Sequence, residues 1–158
     1  MLDSALGRLH DAELLCKRLD TQSDSAALLS ILGFEILLKC SLRLSGAAPA
    51  KSHNYVKLWY DLPESARVEI LDVASARMPG VADLSYIDNL LNWYQYIFQK
   101  ARYPYEMLEG YTASEERELG DLWESLGAPT EEALIQYHPM ELACLIAGAR
   151  SYVEKRVV

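Results

Sequence analysis

Between Ser23 and Ser45 the chain runs DSAALLSILGFEILLKCSLRL, a stretch whose leucines and isoleucines fall on nearly every face of the helix it would form. A helix lying on a surface shows one apolar stripe, whereas this one must be surrounded by others, so the stretch points to a central helix wrapped by further helices. Ser23 or Asp24 can accept a bond from the free amides of the first turn, and SGAAPAKS ends the segment. Gly33 within it predicts the close approach of a neighbour. Its apolarity alone would suit a membrane span, but Glu35, Lys39 and Arg43 interrupt it at intervals of four and argue against one.

The remaining segments supply the wrapping helices. Leu6, Leu9, Leu14 and Leu15 mark an amphipathic helix from Ser4 to about Leu19, and HNYVKLWYDL reads as a short one. Leu62-Pro63-Glu64 opens a helix carrying Ala66, Val68, Ile70, Leu71 and Ala74, because an early proline gives up an amide that has no helical partner. The most periodic segment extends from about Asp83 to Tyr103, with Ile87, Leu90, Leu91, Tyr94, Ile97, Phe98 and Ala101 on one face. Thr112-Ala-Ser-Glu115 is a capping-box pattern for a helix through Leu126 that Gly127-Ala-Pro129 closes. Thr130 is placed to cap another helix, which His138-Pro139 breaks, and Pro139 starts the last one, ending near Lys155. No strand signal or internal repeat competes, so the expected fold is all-α, an antiparallel up-down bundle with additional short helices, in one domain spanning residues 1–158.

Composition narrows the function. A net charge of −8 opposes non-specific attraction to nucleic acid or to an anionic membrane, so any RNA site must be focal. Cys16, Cys40 and Cys144 are far apart in helix-like apolar surroundings and read as core thiols of a cytoplasmic protein. MLDSALGRLHDAE has no basic-then-apolar leader pattern. Glycine-rich phosphate loops, paired histidine ligands, cysteine knuckles and helical Glu-x-x-His pairs are absent, so neither a metal site nor a cofactor is expected.

The polar candidates cluster in three places. Glu35, Lys39 and Arg43 share one stripe of the central helix, where charges are costly unless paired or opened to a cleft. Lys51, His53, Asn54, Lys57 and Trp59 follow within nine residues, and His53 is the side chain best suited to exchange a proton near neutral pH. KARYPYE, residues 100–106, should end or bend its helix at Pro104. There Arg102 can hold a phosphate while the faces of Tyr103 and Tyr105 stack on a base, and Glu106 can orient the arginine or pair with Lys39, although a purely structural clamp fits these residues equally.

GFEILLKCSLRLSG, SHNYVKLWYDLPESARVEI and NWYQYIFQKARYPYE together resemble bacterial members of the HEPN superfamily (higher eukaryotes and prokaryotes nucleotide-binding) over roughly residues 25 to 110. The resemblance implies a helical bundle that often forms a homodimer, serving as a toxin of a toxin–antitoxin pair, an antiviral RNase, an RNA-binding module or a partner of a nucleotidyltransferase. The chain departs from the family in lacking the arginine and histidine four to six residues apart on which metal-independent RNA cleavage rests. An RNA-directed protein would use His53 and Arg102 as catalytic residues and Glu35, Lys39, Asn54, Tyr103, Tyr105 and Glu106 as ligand-binding ones. A non-catalytic interaction module, a dimer or the accessory subunit of a cognate protein, is the alternative.

Overall fold

A computed structural model describes residues 1–18, 23–48, 51–101, 110–127, 133 and 135–157. Its centre is a helix spanning Asp24–Leu44 (here α2), into which the preceding helix Leu2–Arg18 (α1) folds back. Ser23 Oγ accepts the Ala26 amide to start α2. At its other end the amides of Gly46 and Ala47 donate to the carbonyls of Arg43 and Leu42, with Gly46 at φ +85°. This paired reversal needs a residue that tolerates a positive φ, which glycine does without a Cβ penalty. Small residues bring α1 and α2 together: Ala5 and Ala12 are buried, and a Cβ on Gly33 would meet the Leu9 side chain at 2.7 Å.

Asn54 caps a short helix, Tyr55–Tyr60 (α3), by accepting the Lys57 amide at 2.7 Å. Pro63 then stands at the N-cap of Glu64–Arg77 (α4), whose Ala66, Ile70 and Ala74 are buried. Of the other apolar residues of this helix, Leu71 packs at the edge of the core and Val68 is half exposed. The periodic segment becomes a helix only at Ile87–Tyr96 (α5), later than expected. The Asp83 carboxylate accepts the Ser85 amide at 2.9 Å and so holds the chain in a local turn that competes with the helix. Beyond Tyr96 the helix widens into a π turn, Ile97–Ala101.

The capping box at Thr112 and Glu115 forms in full and opens Ala113–Ser125 (α6). The helix expected from Thr130 lies largely outside the described residues; residues 135–138, which are described, are not helical. Pro139 begins the last helix, Pro139–Val157 (α7), which runs antiparallel to α4: Glu69 meets Arg156 at 2.7 Å, and Gly148 lies against Ile70.

One apolar cluster joins α1 to α5 and α7, with Phe34, Leu37, Leu38, Tyr55, Trp59, Ile70, Leu91, Tyr94 and Leu145 buried within it. The described residues form helices and no strand, as expected of an all-α fold. Among them α2 is the one helix long and apolar enough to cross a membrane, and here that apolar surface packs against α1, α3 and α7. By contrast α6 buries none of its residues, leaving Leu119, Leu122 and Leu126 exposed among five carboxylates.

Two outcomes follow from this packing. A Cβ on Gly148 would overlap the Ile70 carbonyl oxygen, a backbone atom that cannot rotate away, whereas one on Gly33 meets only the end of a leucine. In urea titrations Gly148→Ala should therefore lose about 3 kcal/mol of stability and Gly33→Ala clearly less. The cysteines separate as well. Cys40 and Cys144 are buried, and burial raises both thiols above their ordinary range, but Cys16 is exposed rather than in the core, on the outward side of α1. A thiol reagent should label one cysteine in the native protein and all three only after unfolding.

Candidate functional site

Glu35 is the one charged residue that the described core encloses, its side chain 3% exposed in the middle of α2. An isolated carboxylate there would cost several kcal/mol, on the order of the desolvation penalty of a buried ion. Three donors remove that cost. Lys39 Nζ, one turn along α2, lies 2.7 Å from Oε1. The Tyr55 hydroxyl donates to Oε2 at 3.0 Å from the first turn of α3. His53, two residues before α3, places Nδ1 at 3.0 and 2.9 Å from the two carboxylate oxygens.

The elements dictate this convergence. The spacing of four stacks Lys39 over Glu35 on one helical stripe. The α3 N-terminus is pinned to α5 by the Gln95 side-chain carbonyl, which accepts the Tyr55 amide at 3.3 Å. That leaves His53 over the π turn, where the Phe98 ring tilts against the imidazole at 5.1 Å between centroids. Burial first, then the Glu35 charge and hydrogen bond, drive the Tyr55 phenol far above its ordinary range, so it remains a donor.

The carboxylate is closed off, yet the imidazole above it is 53% exposed. With Nδ1–H donated to Glu35, the lone pair sits on Nε2, which has no partner among the described residues. A carboxylate that fixes the tautomer and ring angle of a histidine is the arrangement of an oriented general base. Lys39 spends one of its three donors on Glu35 and retains some solvent contact, so the group is anionic beneath and cationic at its edge.

Of the residues singled out in the sequence, Glu35, Lys39 and His53 thus come together. Asn54 follows His53 but spends its side-chain oxygen on capping α3. Lys57 pairs with Asp61 at 3.0 Å, and Trp59, offered as an aromatic face, is 2% exposed and belongs to the core. Arg102, Tyr103, Tyr105 and Glu106 lie outside the described residues. Sequence reasoning missed Tyr55, Gln95 and Phe98, because contacts across 20 to 45 positions leave no local spacing to read. The aromatic residue two places after His53 was the available signal for Tyr55. No group of histidine, cysteine and carboxylate side chains among the described residues is arranged to hold a metal ion.

Comparison of the chain with protein-family models, with curated proteins and with solved structures gives no match.

The network should behave as one unit in denaturation. Lys39→Met takes the ammonium away from a buried carboxylate and should cost about 3 kcal/mol, while the double substitution Glu35→Gln/Lys39→Met should cost clearly less than the sum of its parts. Tyr55→Phe removes one donor and should cost about 1 to 3 kcal/mol. Additive losses in the double-substitution cycle would show that the pair is not coupled.

Proposed function

We propose that this chain is an RNA-directed protein of the HEPN kind, acting in the cytoplasm within a bacterial defence, toxin or stress system, with His53 as proton acceptor. The observation that carries the reading is the Glu35–His53 pair, buried at the carboxylate and open at the imidazole. In that reading Nε2 takes the proton of a ribose 2′-hydroxyl. The 2′-oxygen bonds to the adjacent phosphorus as the bond from phosphorus to the 5′-oxygen breaks, leaving a 2′,3′-cyclic phosphate. Water protonates the departing 5′-oxygen, and the imidazolium returns its proton to solvent. Lys39, which shares Glu35 Oε1 with the imidazole, is a cation at hand for the phosphate, and Arg102 keeps the phosphate-holding role that its sequence position suggests. Glu35 is a positioning residue, since three donors occupy it.

A second reading has its own support in α6. Exposed Leu119 and Leu122, with Leu126 at the C-cap, are spaced like the anchors of a helix that docks in a groove, which suits a non-catalytic module, a homodimer or an accessory subunit.

Cleavage of labelled single-stranded RNA and transfer RNA in EDTA separates the two. Wild type should release products ending in a cyclic phosphate, and His53→Ala should slow release by about 100-fold or more. Glu35→Gln should slow it as well while leaving substrate affinity nearly unchanged. The absence of both cleavage and low-salt RNA binding in folded wild type would remove the RNA reading and leave the interaction module.

A further inference from the structure

On the side of α5 turned away from Phe98 and His53, Asn89, Asn92, Trp93 and Tyr96 line a shallow concavity. The Trp93 and Tyr96 rings meet edge to face at 5.7 Å, and Tyr96 is 37% exposed. Aromatic rings left half open beside two carboxamides make an unusual surface: an apolar protein partner leaves the amides unpaired, and water alone leaves the rings unpacked. Asp88, on the same helix, accepts the Tyr60 hydroxyl at 2.8 Å, and the Arg67 guanidinium lies over the Tyr60 ring at 4.9 Å. At the opposite end, Lys100 is exposed in the π turn. Four residues nearly complete a π turn, which brings Lys100 beneath Tyr96.

We infer that this strip is a binding site for single-stranded RNA, in which bases stack on Trp93 and Tyr96, Asn89 and Asn92 bond base edges, and Arg67 and Lys100 meet phosphates at either end. It rests on the RNA reading above and adds to it the strandedness of the ligand and a second surface. From Asp88 to Lys100 the helix advances about 18 Å, room for a short run of nucleotides. Base faces stack on aromatic side chains whatever their sequence, and carboxamides pair with exposed base edges that a duplex conceals. The balance of forces follows from the charges. With two cations on the strip, one of them near the Asp88 carboxylate, and −8 on the whole chain, stacking and hydrogen bonds must supply the affinity, with phosphate neutralisation a minor part. Binding should therefore lose little with added salt, with a log–log slope of about −1.4 for two neutralised phosphates on a single strand.

The test is fluorescence anisotropy of the intact protein with labelled single-stranded oligouridylate and oligoadenylate, beside a duplex of the same length. Variants Trp93→Ala, Trp93→Phe and Asn92→Ala are checked for folding by circular dichroism. Wild type should bind single strands in preference to the duplex with the shallow salt slope. Trp93→Ala should weaken binding about tenfold or more, and Trp93→Phe should restore most of it. Equal affinity in wild type and Trp93→Ala overturns the inference, as does a steep salt slope with duplex bound equally well. Sedimentation that shows Trp93→Ala dissociating a dimer, with RNA binding untouched, assigns the strip to a second copy and overturns it too. Cleavage by the same proteins is scored separately. Cleavage that persists in Trp93→Ala at unchanged affinity sinks the strip alone, and stacking-dependent binding without cleavage sinks the catalytic reading alone. Absence of binding in wild type removes the strip, whatever the cleavage result.

Discussion

A carboxylate enclosed in the middle of the central helix sets the terms for everything around it. Glu35 is tolerated only because an ammonium from its own helix, a phenol from α3 and an imidazole from the approach to α3 all point at it. Those three donors come from two elements, so satisfying one charge also fixes where α3 meets α2. The polar network and the apolar core are in this sense one structure. Phe34 stacks on Tyr55 at 6.4 Å between centroids and meets Tyr94 edge to face at 6.3 Å, and the Tyr94 hydroxyl reaches on to the His138 carbonyl at 2.9 Å, just ahead of α7.

Backbone approach is the second constraint, and it acts at two places of different stringency. Gly33 admits the Leu9 side chain and so sets how closely α1 lies on α2. Gly148 admits a carbonyl oxygen of α4, a contact between main chains that no rotamer change can relieve. With Glu69 held by Arg156 and Lys155 at the far end, α4 and α7 form a pair whose spacing is set by backbone atoms and whose register is set by charge. The Arg156 guanidinium, by hydrogen bonding and charge, holds the Glu69 carboxyl below its usual range. The small stabilisation from this pair is thus present near neutral pH and is lost as pH falls through that lowered value, with a magnitude limited by its contact with solvent.

Much of the fold is legible in the sequence because its signals are local. Caps at Ser23 and Thr112, prolines at 63 and 139, and the all-round apolarity of α2 each fix an element from within a few residues. Where the reading departs from the structure, a competing local interaction or a facing neighbour decides. Asp83 holds Ser85 in a turn and delays α5, Cys16 falls on an outward face, and Trp59 faces the core. The candidate site is legible by half. Residue chemistry marks Glu35, Lys39 and His53, but Tyr55 and Phe98 join them only through the tertiary fold. The strip on α5 was invisible for the opposite reason. Its asparagines and rings lie within the most periodic helix of the chain, where attention to the apolar face hides the other side.

The π turn at Ile97–Ala101 makes this region tolerant of a change in chain length in a way that composition does not reveal. A π turn accommodates one residue more than the α-helical turn it interrupts. Deleting Gln99 would return this turn to the α-helical ladder, while Ile97 and Phe98, which precede it, kept their places against the core and the imidazole. Because the wide turn absorbs its extra residue within itself, Lys100 would stay close to the line of Tyr96 rather than swing away from it. The turn is thus a place where the chain can lose one residue with both faces of the helix left as they are, the carboxylate–histidine pair on one and the ring-lined strip on the other.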